Sequence, residues 1–107
     1  MKMYIAILDE VPDFMVPTLV AHSVLGAHLE MEELDPYQDW LLTSFKKCTI
    51  RVNKKEFAKI AALDNTYLGH ENTTLDGTKS CAIPVPCAND DRPNVLRCAK
   101  LWSPKEQ

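Results

Sequence analysis

The apolar positions of the chain fall into one continuous run, one helix-length block and several short alternations. Residues 2–9, KMYIAILD, form an almost unbroken apolar run rich in β-formers. That is the length and character of a strand buried on both faces, and such a strand needs helices on either side. Residues 9–15 hold Pro12 and Asp13 and read as a loop. Pro17 suits the first turn of a helix, where its missing N–H costs nothing, and the spacing predicts a helix over 16–33. Its first half, VPTLVAHSVLGAHL, is apolar nearly all round, so cover on most sides is expected. The acids from Glu30 to Glu33 end it or turn it to solvent.

Asp35, Pro36 and Gln38 give a second helix start: an N-cap, a proline at the first helical position and a capping-box partner. Tyr37, Trp40, Leu41 and Phe45 follow at helical spacing as core contacts. Cys48, Ile50 and Val52 alternate with Thr49 and Arg51, the period of a half-covered strand. Asn53 and Glu56 repeat the capping-box spacing, with Phe57, Ile60 and Ala61 as the buried face of the helix they open. Short strands are expected at 66–69 and 80–85, with a polar loop over 70–77 between them. A final helix is expected from about Asp91 and Pro93, with Val95, Cys98, Ala99 and Trp102 on one stripe. The order βααβαββα predicts a single domain over 1–107, a three-layer α/β/α sandwich around a small mixed sheet of about four strands.

Composition narrows the classes. The 107 residues suit one core. No apolar run has the roughly 18 residues of a membrane span, and the N-terminal run is too short for a signal-peptide core, so a cytoplasmic protein with no membrane partner is expected. Cys48, Cys81, Cys87 and Cys98 lack a CxxC pair, and His28 and His70 have no His or Cys as a metal-ligand partner at i+3 or i+4, so the expectation is reduced thiols with no metal and no cofactor. Net charge is −3, but it is polarised. Residues 1–45 carry eight acids against Lys2, whereas the remainder carries eleven Lys and Arg against seven acids. A cationic face toward a phosphate backbone is therefore open, with the Lys46-Lys47 and Lys54-Lys55 pairs as its candidates; the plain alternative is a solvated helix surface.

No GxGxxG, GKS/T, HExxH or GxSxG motif occurs. Candidate chemistry is positional instead, at the carboxyl end of the first strand and the first turns of the following helix. Asp9, Glu10, Asp13, Thr18 and His22 are the polar residues there. His22, the one ionisable group in the apolar half of that helix, reads either as a hydrogen-bonded core histidine or as a site residue.

The segment from Ile5 to His28, with its "VAHSVLGAH", resembles the opening of the type II peptidyl-tRNA hydrolases, and Ala21, His22, Leu25, Gly26 and Ala27 match that family's Ala-His and Leu-Gly-Ala steps. "KKCTIRVNKKEFAKIA", "DGTKSCAIPVP" and "LRCAKLW" resemble its later strand, helix, loop and closing segments in order. The resemblance implies hydrolysis of the ester between a peptidyl group and the 3′ end of tRNA, with His22 and Thr78 as catalytic residues. Asp13, Thr18, Lys46, Lys47 and Lys79 are then the substrate-binding candidates. The chain departs from the family in three places: Pro12-Asp13-Phe14-Met15 replaces a loop rich in lysine and glycine, Leu19 replaces a glutamine, and Leu68 aligns with an aspartate for which Glu71 or Asp76 could substitute after a shift. Two other readings stay open: a silent domain of the same fold that binds a protein or small ligand, and a different hydrolase using Asp9, Asp13 and His22. The expected partner is tRNA, with a homodimer as a further option.

Overall fold

The structure, a computed structural model, describes residues 1–70 and 77–105. Five strands form one mixed sheet: β1 (Lys2–Leu8), β2 (Lys46–Val52), β3 (Thr66–His70), β4 (Lys79–Pro84) and β5 (Lys100–Leu101). Their spatial order is β3-β4-β1-β2-β5. β1 and β2 are parallel along their whole length, Lys2 opposite Lys46 and Leu8 opposite Val52, whereas β4 is antiparallel to β1 and β3, and β5 is antiparallel to β2. The helices are α1 (Val16–Met31), α2 (Asp35–Leu42), α3 (Lys54–Ala61) and the single turn α4 (Asn94–Arg97).

β1 forms the centre because its side chains are apolar on both faces. Met3, Ile5 and Ile7 join Leu19, Ala27 and Met31 of α1 and Tyr37 and Trp40 of α2 in one apolar cluster. Tyr4 and Ala6, alternating with them, join Ile50, Val52, Ile60, Ala82 and Leu96 in a second. The unbroken hydrophobicity of residues 3–8 is thus what a strand with two covered faces requires.

α1 approaches the sheet closely at two glycines. A Cβ on Gly26 would fall 2.3 Å from the Tyr67 ring, and one on Gly69 would fall 2.2 Å from Ser23 Oγ. Small residues on both elements therefore let the helix settle onto β3. α3 opens with the capping box read from the sequence: Asn53 Oδ1 accepts from the Glu56 N–H, and Glu56 Oε1 accepts from the Asn53 N–H, both at 2.8 Å.

Several expectations need correction. The sheet has five strands rather than four, because the final helix is only one turn long. The open edge of β2 offers unpaired backbone groups, and the closing segment takes them up as β5; Trp102 N–H continues the pairing to Thr49 O at 2.9 Å. Val95, Cys98, Ala99 and Trp102 therefore do not share a helical stripe. At α2 the N-cap is Leu34 rather than Asp35, and Gln38 donates its side-chain amide to Glu32 O at 2.9 Å instead of completing a box. Phe45 lies beyond the end of α2 in a left-handed conformation, φ 55°, yet its ring still packs on Trp40 with centroids 5.3 Å apart. α1 is covered on one side only. Val16, Leu19, Ser23, Ala27 and Met31 are buried, whereas Ala21, Leu25 and Leu29 face outward and exposed, because the sheet reaches only one face of the helix.

Candidate functional site

The parallel strands β1, β2 and β3 all end on one side of the sheet, the side where crevices form in open α/β sheets. α1 starts there, β3 ends there with His70, and β4 begins there with Lys79. Between Gly69 and His70 the β3–β4 register slips, since Gly69 pairs with Cys81 but His70 with Lys79. Such a bulge re-aims side chains, and here it sets His70 and Lys79 against each other. Lys79 Nζ lies 3.1 Å from His70 Nδ1. An ammonium can only donate, so Nδ1 is the accepting nitrogen and the ring proton sits on Nε2. The His22 ring, exposed on α1, meets the His70 ring edge-on with centroids 6.4 Å apart. Thr78 is exposed in the segment that leads into β4, directly after Gly77, whose φ of 73° is left-handed and favours glycine there.

His22, His70 and Lys79 thus converge from three elements, with Thr78 beside Lys79 in the chain. His22 is exposed, which removes the reading of a hydrogen-bonded core histidine. His70 carries no signal of its own in the sequence, because its place beside His22 depends on the pairing of β3 with β4 and on the bulge between them. Glu71 and Asp76, considered as substitutes for the family's aspartate, lie outside the described residues.

The other candidates sit elsewhere. Asp13 is half-buried and committed: Arg51 Nη2 lies 3.5 Å from Oδ1, and Oδ2 accepts from the Lys105 backbone N–H. Arg51 also donates to Ser103 O and lies over the Trp102 ring at 5.0 Å, and Lys105 Nζ donates to Asp9 O at 2.7 Å. Together these contacts strap the closing segment across the ends of β2 and β1. Asp9 lines a cleft of about 300 Å³ there with Arg51, Asn53, Glu56, Cys98 and Lys100, so it groups with the strap rather than with His22. Thr18 is exposed on the first turn of α1.

Lys46 and Lys47 lie at the start of β2, opposite Lys2 and Met3, and so at the other end of the sheet from His22. A seven-residue strand at about 3.3 Å per residue puts about 20 Å between the two ends. There Lys47 Nζ donates to Phe45 O at 2.8 Å and lies 3.1 Å from the centre of the Phe45 ring. Lys54 is exposed and pairs with Glu10 at 3.5 Å, and Lys55 is exposed on the first turn of α3.

The four cysteines are free thiols, and Cys81 is fully buried. Burial pushes its thiol up to about 12, against a smaller opposite pull from the neighbouring Ser23 hydroxyl. A thiol held in that state is protonated and unreactive at neutral pH, so Cys81 is a packing residue. Among the described residues no group of three or more His, Cys, Asp and Glu is placed to hold a metal ion, and no helix is long and apolar enough to cross a membrane. In comparison with known proteins, no family model matches the chain and no curated protein matches it significantly.

Proposed function

We propose that the protein is a hydrolase of the peptidyl-tRNA hydrolase type, cleaving the ester between a peptidyl group and the 3′ end of tRNA in the cytoplasm. The observation that carries this reading is the convergence of His22, His70 and Lys79 beside Thr78 at the carboxyl end of the sheet. Two of these, His22 and Thr78, are the residues that the family resemblance singles out. The two apolar clusters on alternate faces of β1 support the three-layer α/β/α arrangement that goes with it.

The chemistry follows from the side chains. Ester hydrolysis needs a base to take a proton from water and donors to receive the charge that develops on the carbonyl oxygen. The exposed imidazole of His22 is the base that takes the proton from the attacking water and returns it to the ribose 3′ oxygen as the acyl C–O bond breaks. The Lys79 ammonium and the Thr78 hydroxyl are the donors, and the Lys79–His70 contact holds the lysine at the site. Lys46 and Lys47, about 20 Å away, can meet only a distant part of the same tRNA, where neutralising phosphates raises affinity without touching the reaction.

The test is release of the blocked amino acid from an N-acetylated aminoacyl-tRNA. The wild type should turn over, and His22→Ala should lower kcat about 100-fold or more, the usual worth of a general base. Lys79→Ala should lower kcat too, whereas Lys46→Glu with Lys47→Glu should raise KM and leave kcat in place. No turnover from the folded protein at low salt overturns the proposal. The alternative is a silent domain of this fold. Its support is that Asp13, in the stretch standing where the family has its lysine-rich loop, is spent on Arg51 and the closing segment.

A further inference from the structure

We infer that Lys2, Lys46 and Arg92 form a binding site for a phosphate monoester, at the end of the sheet where β1 and β2 begin and on the face that α3 covers. The inference is independent of the activity proposed above.

Strand alternation separates two lysines that are neighbours in the chain. In-register parallel pairing sets Lys2 beside Lys46 and Met3 beside Lys47, with about 4.8 Å between the strands. Lys47 shares the face of Met3, and its ammonium is spent on Phe45 O and on the rings of Phe45 and Trp40. Lys46 shares the opposite face with Lys2, the face on which Tyr4, Cys48 and Ile50 follow. Lys2 Nζ lies 5.7 Å from the centre of the Tyr4 ring.

Arg92 reaches the same place from the far part of the chain. The Lys2 N–H donates to Cys87 O at 2.9 Å and the Cys87 N–H to Lys2 O at 3.2 Å, so the segment after β4 is tied to the start of β1. Arg92 Nη1 then donates to Tyr4 Oη at 3.1 Å, and Arg92 Nε to Asn89 O at 3.2 Å. These two bonds fix the plane of the guanidinium. They use two of its five N–H donors and leave the Nη1–Nη2 fork for a ligand.

The charge of the partners carries the inference. Arg92 is half-buried, and both groups that it donates to are neutral. Among the described residues no carboxylate forms an ion pair with Lys2, Lys46 or Arg92, whereas Arg51 pairs with Asp13 and Lys54 with Glu10. The acids nearest in the chain, Asp90 and Asp91, stand in the turn Asn89–Asp91, where Asp91 lines a neighbouring groove with Asp64 and Leu96. Three like charges from separate segments, one of them partly desolvated, repel one another until an anion joins them. Two half-buried thiols report the same cluster. Burial pushes both up, Lys2 and Arg92 pull Cys48 back, and at Cys87 Arg92 pulls back while Asp91 opposes it.

The donors select the anion. A planar guanidinium fork matches two oxygens of a phosphate, and the ammonium groups of Lys2 and Lys46 meet the remaining charge. A monoester is close to a dianion at neutral pH, as is inorganic phosphate, whereas a carboxylate or a phosphodiester brings a single charge.

The test is titration of the isotope-labelled protein at constant ionic strength and about pH 7.5, followed by amide chemical shifts, with inorganic phosphate, phenyl phosphate and dimethyl phosphate as probes. The first two should saturate with Kd of about 1 mM or below and move the amides of Tyr4, Cys48 and Arg92, and dimethyl phosphate should bind at least about tenfold more weakly. Arg92→Gln should raise Kd at least about tenfold and Lys46→Gln at least about threefold, while Lys47→Gln leaves it in place. Should Arg92→Gln fail to fold, Lys2→Gln with Lys46→Gln replaces it, with the same rise of about tenfold expected. Absence of saturable shifts up to about 20 mM phosphate overturns the inference, as does a Lys47→Gln protein weakened as much as Lys46→Gln. Binding of inorganic phosphate without phenyl phosphate restricts the site to the free ion and overturns the ester assignment. Dimethyl phosphate bound as tightly as phenyl phosphate overturns it in favour of a phosphodiester.

Discussion

Gly26→Ala separates two physical accounts of α1. In an open helix the change stabilises by about 1 kcal/mol, since glycine is the poorer helix former. Here the new Cβ would fall 2.3 Å from both Cζ and Oη of Tyr67, whereas carbon atoms pack at about 3.5–4.0 Å. The overlap exceeds 1 Å and has two escapes. Either α1 lifts from β3, which costs about 1–3 kcal/mol as overpacking does, or the Tyr67 ring swings out and loses a comparable amount of burial. Set against the propensity gain, the net expectation is a loss of up to about 2 kcal/mol. Urea denaturation followed by tryptophan fluorescence measures it, with an unchanged slope showing that the two-state transition survives. In a Tyr67→Ala background the clash is gone, so Gly26→Ala should become stabilising by about 1 kcal/mol, a coupling of about 1–3 kcal/mol between the two positions. A Gly26→Ala protein stabilised by the full amount of about 1 kcal/mol expected of an open helix, or a coupling below about 0.5 kcal/mol, would refute the close approach of α1 to β3.

Arg51→Ala should loosen the closing strap by removing the Arg51–Asp13 pair and the stacking on Trp102; a loss of about 1–2 kcal/mol is expected, with faster proteolysis after residue 100 as the direct readout. Were the segment equally protected in the variant, the strap would have another anchor. Cys81 gives a pH dependence. Its thiol is pushed up in the folded state to about 12, above the unfolded value near 9, so its contribution to stability is complete below about pH 9 and is lost as pH rises toward 12. A Cys81→Ser or Cys81→Ala variant should lack that alkaline loss in urea midpoints measured from pH 8 to 10. In a thiol-reagent assay at neutral pH, exposed Cys98 should react first and Cys81 only on unfolding.

Much of the fold was legible because local chemistry and tertiary demand agree. The apolar run of β1, the proline that starts α1 and the Asn53–Glu56 box each specify a local structure that packing then preserves. Local pattern misled where one element depends on another. Val95 to Trp102 looks helical by spacing, but the free edge of β2 takes Lys100 and Leu101 as a strand. Asp35 has the composition of a cap, but α2 follows α1 so closely that Leu34 fills the position.

The same division holds for the candidate site. The sequence by itself determined that His22 follows the first strand by one helical segment, near that strand's carboxyl end, and that Thr78 precedes the last long strand. Only the tertiary structure decided that His70 and Lys79 join His22, since strand pairing across an intervening loop and a one-residue bulge are non-local events. It also decided that Lys46 and Lys47 stand at the far end of the sheet, because parallel register, not sequence proximity, sets which end of β2 lies beside which end of β1. Exposure of the apolar face of α1 is of the same kind: hydrophobicity says that a surface favours burial, but only the assembled sheet shows which face it fails to reach.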